Sequence, residues 1–172
     1  MLNPSKMEMS HVDRMFALRN DSDVTVLVED VNKKKMKHYL QKHDGKSGRV
    51  YFYLIKRWKV VNGEKKEWWF VNVGFNRLDR DRARLREKRK EFGIYGVFNV
   101  SFSLIWEGEF EHAFALERFI HYTFKEYRRE TRKMNLTVGM PTVISRECYS
   151  LTSKVQILDF ITHVSDHFGP LA

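Results

Sequence analysis

Apolar and polar positions alternate along this chain with periods that assign most of its elements. Ser5 to Leu18 has mixed apolar spacing and is expected to form a helix. Val24 to Val28 (VTVLV) is short and β-branched, the pattern of a strand. Val31 to His43 is lysine-rich, helical in composition, and ends before Asp44-Gly45. Val50 to Ile55 reads as a buried strand, and Trp68 to Val73 as a second one stopped by Gly74. Asn62-Gly63 between them is a tight-turn dipeptide, so an antiparallel hairpin is the simple topology. Leu78 to Phe92 lacks proline and glycine and consists mainly of good helix formers, with Gly93 suited to its C-terminus. Val97 to Trp106 alternates as a third strand. Glu111 to Tyr127 carries Phe114, Leu116, Phe119, Ile120 and Phe124 at a helical period. Val143 to Leu151 suits a loop or edge strand. Ser153 is placed to cap a last helix, Lys154 to Val164, with Val155, Leu158 and Ile161 on one face. From residue 50 the order is β-β-α-β-α, then a short extended piece and a helix. That order predicts an α+β fold, a small antiparallel sheet flanked by helices.

Composition narrows the class. Hydrophobic residues make up 42% of the 172, enough for a packed core. The 31 Lys and Arg outnumber the 22 Asp and Glu, a formal charge of +9. Such a balance favours a polyanionic partner, because basic side chains release counterions from phosphates. DNA is the expected partner, with Lys33, Lys34, Lys35, Arg77, Arg80, Arg86, Lys88 and Arg89 as the phosphate contacts. Cys148 is the single cysteine, so an intramolecular disulfide and a thiolate metal cage are both excluded. No apolar run approaches the ~20 residues of a membrane span, and the first residues mix Asp, Glu and His among apolar positions, unlike a signal peptide. A cytoplasmic protein with no membrane partner is the expectation.

The candidate chemistry is an ordered set: tyrosines on a strand, a glycine at the next strand, an arginine on a helix and a glutamate on a later helix. Phosphodiester hydrolysis can use such a set. A tyrosine can take a proton from water, an arginine can stabilise charge on the phosphate, and a glutamate can hold one divalent metal. Glu117 sits inside an apolar helix face beside Phe114 and Phe119, where a carboxylate needs a partner or a metal. A salt bridge to a helix arginine would also satisfy it. His121, one turn on, is a partner for Glu117, a phosphate contact or a satisfied core histidine. No activating pattern surrounds Cys148, so it is not expected to be a nucleophile.

In these residues the chain resembles the GIY-YIG nuclease superfamily, especially its phage-associated branch with a degenerate second motif. Val50-Tyr51 matches the "IY" of the first half-motif and Val73-Gly74 the "IG" of the second. Arg82, eight positions after Gly74, corresponds to the family arginine, with Arg84 as its rival. Leu116-Glu117 followed by His121 is similar to the "LE…H" helix that carries the metal-binding glutamate. Arg146-Glu147-Cys148-Tyr149-Ser150-Leu151 resembles the closing "EWF"-like segment. The resemblance implies Tyr51, Arg82 and Glu117 as catalytic residues, with Tyr53, Arg84 and His121 as further candidates. It also implies one divalent metal, Mg²⁺, on Glu117.

Asn72 occupies the position of the second family tyrosine and cannot act as a base; Tyr53, on the same sheet face as Tyr51, is a substitute. The loop between the two strands is long and holds Trp58 and Lys65-Lys66. A literal Gly93-Ile94-Tyr95 has no following "YIG" and reads as a chance match in a helix-strand turn.

The expected organisation is an appendage over residues 1–48, a strand plus the lysine-rich helix, followed by a GIY-YIG-like domain over 49–172. The expected function is a metal-dependent DNA endonuclease, a nicking enzyme of a phage or mobile element. An inactive nucleic-acid-binding protein on a nuclease-like scaffold is the second reading. A basic protein-interaction module, such as a phage-encoded inhibitor, is the third.

Overall fold

The computed structural model describes residues 31–94, 96–129, 131–135 and 140–171; the side chains of 81, 82, 132, 134, 135 and 140–144 lie outside that description. So do the helix expected over Ser5 to Leu18 and the strand expected over Val24 to Val28. The remainder is an α+β fold: a four-stranded antiparallel sheet flanked by helices, with a separate two-stranded hairpin.

The first helix, α1 (Lys33–Lys42), is capped by Asn32, whose side chain accepts from the Lys35 amide at 3.0 Å. β1 (Gly48–Val61) and β2 (Glu64–Asn76) follow, joined at Asn62-Gly63. Asn62 and Gly63 have φ of 52° and 78°, the two left-handed positions that a two-residue hairpin turn requires. A 3₁₀ turn (Leu78–Arg80) leads into α2 (Asp81–Gly93). Then come β3 (Asn99–Phe110), α3 (Ala113–Thr123), β4 (Thr131–Asn135), β5 (Met140–Ser145), β6 (Cys148–Ser150) and α4 (Lys154–Val164). In the sheet the order is β3-β1-β2-β6, and β4 pairs with β5 apart from it.

Strand alternation divides the core in two. Val50, Phe52 and Leu54 on β1, with Val71 and Val73 on β2, face α3 and α4 through Leu116, Phe119, Ile120, Ile157 and Phe160. Burial of these side chains supplies roughly 1.5–3 kcal/mol each. The opposite face carries Ile55 and Phe70, covered by Phe92 of α2 together with Cys148. Helix α1 joins the first cluster through Tyr39, 6.3 Å ring to ring from Phe119 and 5.9 Å from Tyr122.

Several boundaries differ from the sequence pattern. β2 does not stop at Gly74 but runs to Asn76, because pairing with β1 continues to Arg49. The left-handed residue ending α2 is Ile94, at φ 48°, rather than Gly93, the last helical residue. Ser153 makes no capping hydrogen bond: a 3₁₀ turn over Leu151–Ser153 runs directly into α4. The buried face of α4 is Gln156, Ile157, Phe160, Ile161 and Val164, and Val155 is exposed. Val143 to Leu151 is two strands, β5 and the edge strand β6 on β2.

Candidate functional site

The pairing of β1 with β2 sets Tyr51 opposite Gly74 and Tyr53 opposite Asn72. Both tyrosines project from the face away from α3, their rings 5.2 Å apart. The Tyr51 ring lies on Gly74 so closely that a Cβ there would stand 2.5–2.6 Å from its ring carbons and hydroxyl. Glycine is therefore needed for close approach and not for a turn. The Tyr51 hydroxyl donates weakly to the Phe75 carbonyl at 3.5 Å, and the Arg84 guanidinium stands across a cavity from it. Burial, followed by the nearby Glu147 charge, pushes the Tyr51 pKa above that of an ordinary phenol; Arg84 opposes this and Glu117 adds to it. Tyr51 is thus a neutral hydroxyl at neutral pH.

Helix α2 crosses this face and closes a cavity. Arg84, Leu85 and Lys88 stand across it from Tyr51 and Tyr53, with Arg49, Asn76 and Glu107 on the strand side. Burial acts against the Arg84 charge, but the carboxylates of Glu91 at 3.0 Å and of Glu147 outweigh it, so its pKa is raised. Glu87 at 3.3 Å holds it as well. Arg82 lies in the first turn of α2, and its side chain falls outside the described ones. Arg84, the second arginine the sequence offers, lines the cavity.

Lys88 corrects its own assignment. It was expected at a surface phosphate, yet it is only 1% exposed. Its ammonium reaches Asn72 Oδ1 at 3.0 Å and Glu147 Oε2 at 3.3 Å and lies 5.4 Å from the centre of the Tyr51 ring. Its charge is compensated inside the protein, as a buried ammonium requires. Asn72, the residue at the second-tyrosine position, completes this network by donating from Nδ2 to the Glu147 carbonyl at 3.2 Å. Burial favours the neutral Glu147 carboxyl, but Lys88, His121, Lys133 and Arg84 outweigh it and hold its pKa down at about 2. The sequence pattern attached no role to Glu147; its spacing to Lys88 becomes visible only when β6 docks on β2. Cys148 beside it is fully buried, and burial pushes its thiol pKa up, which suits core packing and not nucleophilic attack.

Glu117 and His121 sit on α3 and do not line the cavity. Glu117 is 2% exposed. Its Oε1 is 2.9 Å from His121 Nε2, and its Oε2 is 3.3 Å from Arg118 Nε. Neither approach has hydrogen-bond geometry, so Oε2 is a buried oxygen that accepts no hydrogen bond. His121 Nδ1 is in turn bonded to the Tyr149 hydroxyl on β6. A buried carboxylate oxygen without a donor is a site that a water or a cation satisfies. A single divalent cation would be held through Glu117 Oε2, beside the Arg118 guanidinium that lies 3.3 Å from it. Among the described residues no group of three His, Cys, Asp or Glu is arranged to hold a metal, and a one-carboxylate site is not such a group.

The other basic residues are distributed unevenly. Lys33 and Lys34 are exposed, whereas Lys35 is half-buried with its ammonium 5.1 Å from the centre of the Tyr122 ring. Arg77 and Arg80 are exposed and face Asp79 at 4.0 Å and Glu87 at 3.0 Å. Arg86 and Arg89 are exposed on α2. Among the described residues no helix is long and apolar enough to cross a membrane. No protein-family profile, curated protein or solved structure matches the chain.

Proposed function

We propose that this chain is a metal-dependent endonuclease that hydrolyses phosphodiester bonds in DNA, of the GIY-YIG kind. The observation that carries the reading is the Tyr51–Arg84 pair: a neutral phenol and a guanidinium fixed by Glu87 and Glu91, facing each other across one cavity. Arg84 is suited to a non-bridging phosphate oxygen and to the charge that grows on it as water attacks. Because Tyr51 is neutral, its role is to orient the attacking water through its hydroxyl, not to begin as a tyrosinate. Glu117 Oε2, on α3 outside the cavity lining, would hold a divalent cation, a group of the kind that supplies charge to a phosphate and its leaving oxygen. Lys88 and Glu147 hold α2 against the sheet and so position Arg84.

Supercoiled plasmid with Mg²⁺ tests the reading. Nicking by the wild-type chain, lost in Arg84→Ala, is expected; intact plasmid at every Mg²⁺ concentration would refute it. One observation favours a second reading, an inactive nucleic-acid-binding protein. Asn72 stands where the family has a tyrosine and is engaged with Lys88 and Glu147. Salt-sensitive DNA binding without nicking would select it.

A further inference from the structure

The β1–β2 hairpin outruns its sheet. Among the described strands, β3 pairs with β1 no further out than Trp58, and β6 with β2 no further than Phe70. Beyond Trp58, Lys59–Val61 pairs only with Glu64–Lys66 as a two-stranded ribbon, while Glu67–Trp69 at its base pair with β1 residues that β3 still flanks. From Lys56 to Trp68 its sequence holds five basic and two acidic residues. One acid, Glu67, is enclosed between Lys56 at 3.3 Å and Lys65 at 3.1 Å on one face of the ribbon.

The other face continues the one that bears Tyr51 and Tyr53. Alternation brings Arg57 and Lys59 to it from β1, with Trp68 and Lys66 as their cross-strand partners. The Trp68 ring stands edge-on to Phe98 at 5.4 Å. Arg57 and Lys59 lie over Phe98 at 4.5 and 4.9 Å. Rings that support cations hold them at a fixed height above the strand, at about 0.5–1 kcal/mol per exposed contact. The face therefore carries ordered positive charge, from Arg57 at the three-stranded base to Lys59 and Lys66 on a two-stranded tip narrow enough for a duplex groove.

We infer that this ribbon face is a second DNA contact, gripping the sugar–phosphate backbone of a duplex on one side of the cavity. The inference rests on the nuclease reading for its polarity, since it places the cavity over the scissile phosphate. Lys59 is eight residues beyond Tyr51, about 27 Å at ~3.4 Å per strand residue. That is about eight base pairs of duplex at ~3.4 Å per step.

Fluorescence anisotropy with the full chain and labelled duplexes tests it. Lys59→Gln/Lys66→Gln should weaken binding to a 30-base-pair duplex about tenfold at low salt and lower the slope of log affinity against log salt by about two. Unchanged slope and affinity in a variant that melts like the wild type overturn the ribbon contact while leaving the cavity reading intact. Equal weakening on single strands overturns the assignment to duplex. If the wild type binds neither duplex nor single strand, the ribbon contact and the nuclease reading fall together. The Tyr51→Phe chain should bind as the wild type does, so loss of cleavage is read separately from loss of grip.

Discussion

Tyr51 and Gly74 are cross-strand partners in which one residue is the seat of the other: the phenol ring occupies the space a side chain at 74 would need. Gly74→Ala must push the ring off the strand or part the strands. A destabilisation of about 1–3 kcal/mol, typical of overpacking, is expected in chemical denaturation. Most of it should vanish in a Tyr51→Ala background, giving a coupling energy of the same sign and size. Additive effects of the two substitutions would mean that the ring is not what Gly74 accommodates.

Arg84, not Arg82, should carry the phosphate charge. Arg84→Ala is expected to slow plasmid nicking by roughly 10²–10³. Arg82→Ala should stay within a few-fold of wild type. A larger loss at Arg82 than at Arg84 reverses the assignment.

The acid limb of stability should report Glu147. Its carboxyl is held at about 2 against an ordinary 4.5, so its contribution is complete above 4.5 and is lost as pH falls toward 2. Glu147→Gln should be less stable than wild type at neutral pH, and the two melting profiles should converge between those values. Parallel curves through this window would show that Lys88 does not depend on the charge. The carboxylate is 29% exposed on its solvent side, so screening trims the effect.

Glu117 should register a cation without any turnover. At ten times its Kd, Mg²⁺ adds about 1.4 kcal/mol to wild-type stability by mass action. Glu117→Gln should melt at the same temperature with and without the metal. An equal Mg²⁺ increment in both proteins places the cation elsewhere and leaves Glu117 as the buried partner of His121.

Local signals carried far in this chain. Asn62-Gly63 announced the hairpin because both positions need positive φ, and the helix over Lys154–Val164 followed from its apolar period. Helix α2 shows where such signals stop. Leu85 and Phe92 are its only large apolar residues, and its charges read as a solvated face. It is fixed as well by long-range ion pairs, Lys88 with Glu147 and Glu91 with Lys133. Pairs between residues as far apart as 88 and 147 leave no periodic trace. For the same reason Tyr51 and Gly74 could be matched by motif, whereas the place of Arg84 at the cavity is legible only from geometry. Val155 was misplaced because α4 turns its Ile157–Phe160–Ile161 side inward.

Lys88 and its carboxylate also order events during synthesis. β1, β2 and α2 leave the ribosome well before residue 147, and domains assemble as their parts emerge. Until Glu147 arrives, Lys88 has only the neutral Asn72 amide as a partner in this network, and an ammonium so placed favours staying in water. Helix α2 then has reason to remain undocked, with the cavity unformed, until β6 reaches the edge of β2. Closing that long loop is an entropic cost met late. Stalled nascent chains ending before and after Glu147 should therefore differ in protease sensitivity at α2, the shorter being cut faster.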